Sequence, residues 1–481
     1  MMRNAVRDEI GEVREALGDV SGHGAVLLVS CYELGHQPLN LAFPLACLQQ
    51  AGYAPVAVDT AVEPLDDAVI RQARVVAISV PMHTALRLGT QIAARVRAVN
   101  PGARICFYGL YAWLNAEYLL REYGDFVIGG EFEQPLRELI VALESGFDGP
   151  IAGVSDAANR VPPSTVRTEF PLPVRDSLPA MKHYAHLIIK DRAVPAGYTE
   201  ATRGCHHTCL HCPVVPVYHR RFFAIPRNVV LEDIRRQVNA GAGHITFGDP
   251  DFLNGPTHSL RICRALHADF PDVTFDITTR IEHILRHRDL IPEFGELGCV
   301  FIVSAVESVS ETVLAKIVKG HTKLDVSEAL KVLDASGIAM RPSLLPFTPW
   351  TSIEDYLELL EFVEERDLLE NIDPVHYSIR LLVPPGSALL DRSDTQEWLG
   401  PLDEAAFGYT WRHPDQRVDQ LQADIAALVE DAARDDVDPV ETFAKIKELA
   451  YTSAGKSVPE IARRRDGVRR RPPRLSESWF C

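Results

Sequence analysis

Three cysteines in the run Arg203-Gly204-Cys205-His206-His207-Thr208-Cys209-Leu210-His211-Cys212 carry the clearest chemistry in this sequence. The CxxxCxxC spacing gathers three thiolates within eight residues, and three thiolates can hold three corners of a 4Fe-4S cube. The fourth iron, left without a protein ligand, can then chelate a small molecule that offers both an amine and a carboxylate. A competing reading is a zinc knot in which His206, His207 or His211 supplies the fourth ligand. Zinc motifs of that kind usually bring their ligands in two separated pairs, whereas here everything follows directly on one strand-like stretch, Tyr198 to Thr202.

From these cysteines onward the chain resembles the radical S-adenosylmethionine (SAM) enzymes, over roughly residues 195 to 390. Gly243-His244-Ile245-Thr246-Phe247-Gly248-Asp249 is similar to the family's second barrel strand and its small-plus-acidic turn, although the usual Gly-Gly-Glu is absent. Ser304-Ala305-Val306-Glu307-Ser308 and Lys319-Gly320-His321-Thr322 resemble the fourth strand and the segment after it. Ile338-Ala339-Met340-Arg341-Pro342 and Pro346-Phe347-Thr348-Pro349-Trp350 resemble the fifth strand and its loop.

The resemblance implies a 4Fe-4S cluster on Cys205, Cys209 and Cys212, with SAM bound to it and cleaved by one electron to start radical chemistry on a small-molecule substrate. It implies that Gly248 and Asp249 meet the SAM ammonium, and that Ser304 and Glu307 face ribose or methionine groups. Arg341 would face a carboxylate, and His211 stands where the family has an aromatic ring near adenine. Thr278, Thr279 and Arg280 point to the same place by position. An electron donor such as flavodoxin or ferredoxin is implied as a partner.

The elements that must position these residues read as α/β throughout. Residues 24–148 show apolar strands at Ala25 to Ser30, Val75 to Val80, Arg104 to Tyr108 and Phe126 to Ile128, with helical periodicity between them. Leu88, Ile92, Val96 and Val99 share one helix face. This alternation predicts a Rossmann-like, doubly wound parallel sheet with a ligand crevice at the carboxyl ends of its strands. With Gly129-Gly130-Glu131 before a helix, it resembles the cobalamin-binding domain of one branch of the family. The resemblance lacks Asp-x-His-x-x-Gly, having Tyr32-Glu33-Leu34-Gly35-His36-Gln37-Pro38 instead, so His36 is a cobalamin ligand only in a shifted register. Cobalamin binding and a fold that has lost the cofactor both stay open.

Residues 1–23 read as an amphipathic helix and the proline-rich 149–195 as a connector. Residues 196–395 give a partial (β/α)6 barrel of the TIM type, with strands near Tyr198, Ile245, Phe275, Ile302, Met340 and Ser378 and the site at their carboxyl ends. Residues 396–462 form a helical C-terminal region, and 463–481 a basic tail ending in Cys481. That tail resembles a subgroup whose chains end Cys-Cys-Ala-Glu-Pro or Cys-selenocysteine-Ala-Glu-Pro. Cys481 is then a catalytic thiol beside a selenocysteine encoded by UGA, and the genomic codon after it tests the expectation.

Composition bounds the alternatives. The chain has 481 residues, 46% of them hydrophobic, and no run near the 18 apolar residues of a membrane span. Cys31, Cys47, Cys106, Cys263 and Cys299 lie scattered in apolar runs, as small core residues of a cytoplasmic protein do. A net charge of -17 argues against broad nucleic-acid binding despite the local arginine run 463–474. Two outcomes follow for the chemistry: cobalamin-dependent methyl transfer, or radical action alone, including 3-amino-3-carboxypropyl transfer to a thiophilic acceptor. The outside class is a non-catalytic metal-binding platform.

Overall fold

Five short runs rich in Val, Ile and Leu between Val26 and Ile128 build the first sheet of the computed structural model, which describes residues 17–166, 169–190, 192–460 and 471–477. The described residues divide into two compact units, one of residues up to 33 with 38–179, the other of 34–37 with 180 onward. Strands of the first unit are β1 (Val26–Ser30), β2 (Val56–Asp59), β3 (Val75–Ser79), β4 (Arg104–Tyr108), β5 (Phe126–Ile128) and β6 (Val154–Ser155). Their order is β2-β1-β3-β4-β5-β6, parallel except for β6. β1 and β3 are buried at every position, because helices cover both faces and alternation is lost. The reversal between β1 and β3 is the switch point where such sheets take ligands.

Three details depart from the sequence expectation. The edge strand β2 was absent from it, since four residues reading Val-Ala-Val-Asp give too short a signal. Helix His83–Val99 buries Leu86, Gly89, Ala93 and Val96, while Leu88 is exposed. The helix docks through small residues: a Cβ on Gly89 would lie 2.9 Å from Val80 and 3.1 Å from Ile78, so close approach outweighs side-chain size. The expected connector starting at 149 belongs partly to this unit, which runs to Pro179, because Val154 and Ser155 pair with β5 and Ser164 bridges Gly130. Gly130 has φ +72°, and a Cβ there would meet the Ser164 carbonyl oxygen at 2.0 Å. The Gly-Gly turn is therefore shaped by the returning backbone.

The second unit holds β7 (His186–Ile189), β8 (Arg192–Thr199), β9 (Thr202–Gly204), β10 (Phe222–Ala224), β11 (His244–Phe247), β12 (Thr274–Thr278), β13 (Cys299–Glu307), β14 (Ala339–Leu344), β15 (Leu399–Asp403), β16 (Gly408–Trp411) and β17 (Arg474–Leu475). A curled sheet runs β14-β13-β12-β11-β8-β7-β17, and the five strands from β14 to β8 are parallel. The chain is thus a mixed α/β fold with an open parallel sheet and a half-barrel.

A sixth parallel strand near Ser378 does not form. Pro374 opens a 3-10 turn over Pro374–Tyr377, and only the bridge between Phe347 and Arg380 remains. The region expected to be helical from 396 begins instead with the antiparallel hairpin β15-β16, and helices Gln416–Arg434 and Pro439–Ser453 follow. Trp398, Trp411, Leu345, Leu381, Val383 and Leu389 give that hairpin an apolar core of its own. At the tail, Arg471 pairs with Asp438 at 2.9 Å and Arg474 joins β17, so these two arginines are held by the fold. Residues 1–16, Arg463–Arg465, Arg469, Arg470 and Cys481 lie outside the described residues. No described helix is long and apolar enough to cross a membrane.

Candidate active site

The carboxyl ends of the parallel strands present the polar residues. β8 leads through Glu200 into β9, and Gly204 at its end turns the chain with φ +77°. A Cβ at Gly204 would lie 2.4 Å from the Arg221 carbonyl oxygen and 2.6 Å from the Tyr218 ring, so only glycine admits the turn into Cys205. The cysteine run is then held from outside: the Leu210 N–H bonds the Ile317 carbonyl at 3.0 Å, and its side chain packs on the tryptophan core of the β15-β16 hairpin. Buried Gln237 bonds both the N–H and the carbonyl of Tyr198, fixing the strand that feeds the run.

Cys205 and Cys209 are buried, Cys212 is half-buried, and all three are free thiols. Burial pushes the thiol of Cys205 up, and that of Cys212 up to about 12. Thiols whose ionisation burial opposes, as at Cys205 and Cys212, ionise readily against a metal centre, so this three-cysteine donor set fits an iron-sulfur cluster. Arg280, at the end of β12, points Nη1 at Cys209 Sγ and Nη2 at the Lys319 carbonyl. Its guanidinium supplies positive charge beside the thiolates.

Asp249, after β11, is buried and accepts three hydrogen bonds, from the Ala201 N–H at 2.9 Å and from the Thr202 N–H and hydroxyl at 2.6 Å each. Burial still pushes its carboxyl up to about 7, against those donors, with the Glu200 carboxylate adding to the rise. Gly248 beside it is needed by Tyr198: a Cβ would lie 1.9 Å from the Tyr198 hydroxyl, whose ring stacks on buried His36 at 4.7 Å. Gly248→Ala is expected to cost about 1–3 kcal/mol through overpacking, read as a lower urea midpoint with unchanged slope.

Glu307 ends β13 with φ +64°, a left-handed conformation that costs a non-glycine residue about 1–2 kcal/mol. Its Oε1 takes Lys319 Nζ at 2.8 Å and His211 Nε2 at 3.2 Å. Burial raises its carboxyl, but the Lys319 ammonium and the His211 ring override this and hold it well below the usual carboxylate range. Ser304 is fully buried and donates to the Thr279 carbonyl at 2.8 Å. Arg341 on β14 pairs with Asp373 at 2.8 Å, so Glu307 and Arg341 each have a different partner. Arg341 Nη1 is buried without an acceptor among the described residues, beside a small cavity lined by Ser343, Asn371 and His376.

The structure therefore gathers His211 and Glu307 with Lys319, sets Arg280 on Cys209, and leaves Arg341 in its own pocket with Asp373. Sequence reasoning missed Asp373, Gln237, Asp251 and His283. Asp251 sits two residues past the noted Asp249, and this is the one local signal for any of them.

Comparison with known proteins agrees with this geometry. An uncharacterized methyltransferase of Pyrococcus horikoshii is 23% identical over 288 residues, covering 58% of this chain and 61% of that protein. The fold is shared with the cobalamin-dependent SAM radical enzyme OxsB, whose structure with aqua-cobalamin and SAM bound aligns at TM-score 0.67 and 17% identity over 85% of this chain and 66% of that one. It is shared too with the radical SAM methyltransferase TsrM of Kitasatospora setae with cobalamin and a [4Fe-4S] cluster, at TM-score 0.56 and 16% identity over 72% and 71%. The chain spans less than two thirds of the curated relatives it matches first. The sequence pattern of the Radical SAM superfamily matches residues 199–363, a span that opens at the end of β8 and includes the three cysteines, Asp249, Glu307 and Arg341. Those residues are a radical SAM domain.

Proposed function

We propose that this protein is an enzyme that binds a 4Fe-4S cluster on Cys205, Cys209 and Cys212 and cleaves SAM reductively to start radical chemistry on a small-molecule substrate. The observation that carries the reading is the set of three free thiols, two buried and one half-buried, at the carboxyl end of the parallel strands, with the Arg280 guanidinium against one of them. When bound, the cluster supplies an electron to the sulfonium, at the expense of a carrier of the flavodoxin or ferredoxin kind. The protein's part is binding and exclusion of water. Asp249, whose carboxyl is buried and raised, suits the SAM ammonium; Lys319 and His211 hold Glu307 ionised for a ribose or methionine donor; Arg341 Nη1 suits a carboxylate. Ser304, with its hydroxyl on Thr279, supports the β12 end from behind.

Anaerobic reconstitution followed by reduction tests the reading: cluster iron and SAM cleavage are expected, and iron no higher than in an unrelated control refutes it. Asp249→Asn is expected to weaken SAM binding by about 10- to 100-fold, the worth of a hydrogen bond to a charged partner. Equilibrium dialysis of the reconstituted protein measures it, and unchanged affinity removes Asp249 from the site.

A second reading is cobalamin-assisted methyl transfer. The 2-1-3-4-5 strand order of the first unit supports it, as does the cobalamin bound by the two structural neighbours. The loop histidine His36 lies buried against Tyr198, so a base-displacing ligand from that loop is not part of this reading. Copurification of cobalamin from cells supplied with hydroxocobalamin, read in the visible spectrum, separates the two.

A further inference from the structure

Two of the histidines inside the cysteine run stack on each other and lie against a ring from outside it. His206 and His207 stack on one another with ring centroids 4.4 Å apart, and His207 also lies 4.7 Å from the ring of His283, on the helix Ile281–Arg286. A ligand nitrogen from each of these three rings falls within 4.8 Å of the others. Asp251, from the loop after β11, completes the group. Its Oδ2 lies 2.9 Å from His283 Nδ1 and 3.2 Å from His207 Nε2.

The two separations from Asp251 Oδ2 lie close to the edge of a coordination tetrahedron, about 3.3 Å when each ligand lies about 2.0–2.1 Å from the ion. The three atoms sit at hydrogen-bond distance but off the hydrogen-bond line, and among the described residues none of them completes a hydrogen bond. Atoms so close that do not point at each other point at a shared position. Asp251 and His283 are each 1% exposed, and buried polar atoms of this kind call for a partner. The other carboxylate oxygen, Oδ1, is fixed by the Thr279 hydroxyl at 2.7 Å and the Leu253 N–H, as outer partners fix a metal-binding carboxylate. Three imidazoles and one carboxylate are a donor set for a zinc-class ion rather than for calcium or magnesium.

We propose that His206, His207, Asp251 and His283 form a mononuclear site for a divalent ion of the zinc class, adjoining the three-thiol site, since Cys205 Sγ lies within 4.8 Å of the His207 and Asp251 ligand atoms. The ion ties the cysteine run to the ends of β11 and β12 and so sets the spacing of the thiols before any cluster is built. The inference does not depend on SAM chemistry.

Cobalt(II) titration of the full chain carrying Cys205→Ala, Cys209→Ala and Cys212→Ala tests it, since no cluster thiol then competes. One Co2+ per chain with visible d-d bands and no thiolate charge-transfer band is expected. Adding His283→Gln should weaken binding about 100-fold or more, since outer partners alone are worth 10- to 100-fold. His206→Gln, a change at a half-exposed ring that leaves the core intact, should weaken it with an unchanged circular dichroism spectrum. Absence of the bands, or binding indifferent to both histidine changes, overturns the site. So does zinc in the wild-type protein that disappears with the three cysteines.

Discussion

Cys209→Ala protein is expected to emerge from anaerobic reconstitution without the brown absorbance, and its reductive SAM cleavage is expected to fall to the level of buffer. Cys209 takes the Arg280 guanidinium and lies between the other two thiols in the run, so its loss leaves two ligands for a centre that needs three. Cys263→Ala is the matched control. That thiol is equally free but lies fully buried on the helix Pro256–Asp269, and its removal leaves iron stoichiometry unchanged. Equal iron in both variants would refute the assignment of the thiols.

Lys319→Met is expected to destabilise the second unit by about 3–5 kcal/mol at neutral pH, the cost of leaving a buried charge without its partner. The Lys319 ammonium and the Glu307 carboxylate are both buried, at 4% and 8% exposure, and lie 2.8 Å apart. The pH dependence follows from the direction of the shift. In the wild type the Glu307 carboxyl is held below its unfolded value of about 4.3, so its contribution is present at neutral pH and is lost as acid protonates it. In the variant the Lys319 ammonium is gone and only the His211 contact still opposes burial, so the carboxyl rises, and the penalty is largest at neutral pH and shrinks on acidification. Urea unfolding at pH 7 and pH 5 measures this, and adding Glu307→Gln should return most of the loss. An equal penalty at both pH values would show that the pair is not what Lys319 provides.

How much of this was legible in the sequence depends on the distance over which the information is carried. The strands Arg104 to Tyr108 and Phe126 to Ile128, and the placement of Asp249 and Glu307 at strand ends, are local patterns, and they read correctly as elements. The face of the helix His83–Val99 did not, because hydrophobicity marks Leu88 while packing selects Gly89 and Ala93. The expected sixth strand failed because Pro374 favours a turn, and the hairpin at 399–411 was hidden inside a helical-looking composition. Asp251 and His283 were invisible for another reason. They stand 32 residues apart, and only the register of β11 beside β12 brings them together.

The anchoring of Leu210 has a consequence for biosynthesis. Its apolar seat is built from Trp398 and Trp411, nearly two hundred positions later in the polypeptide, and Ser387 bonds its carbonyl. A nascent chain emerging from the ribosome thus displays its sulfur ligands long before the residues that shape them exist. The seat that shapes the cysteine run therefore forms only after translation has passed the β15-β16 hairpin.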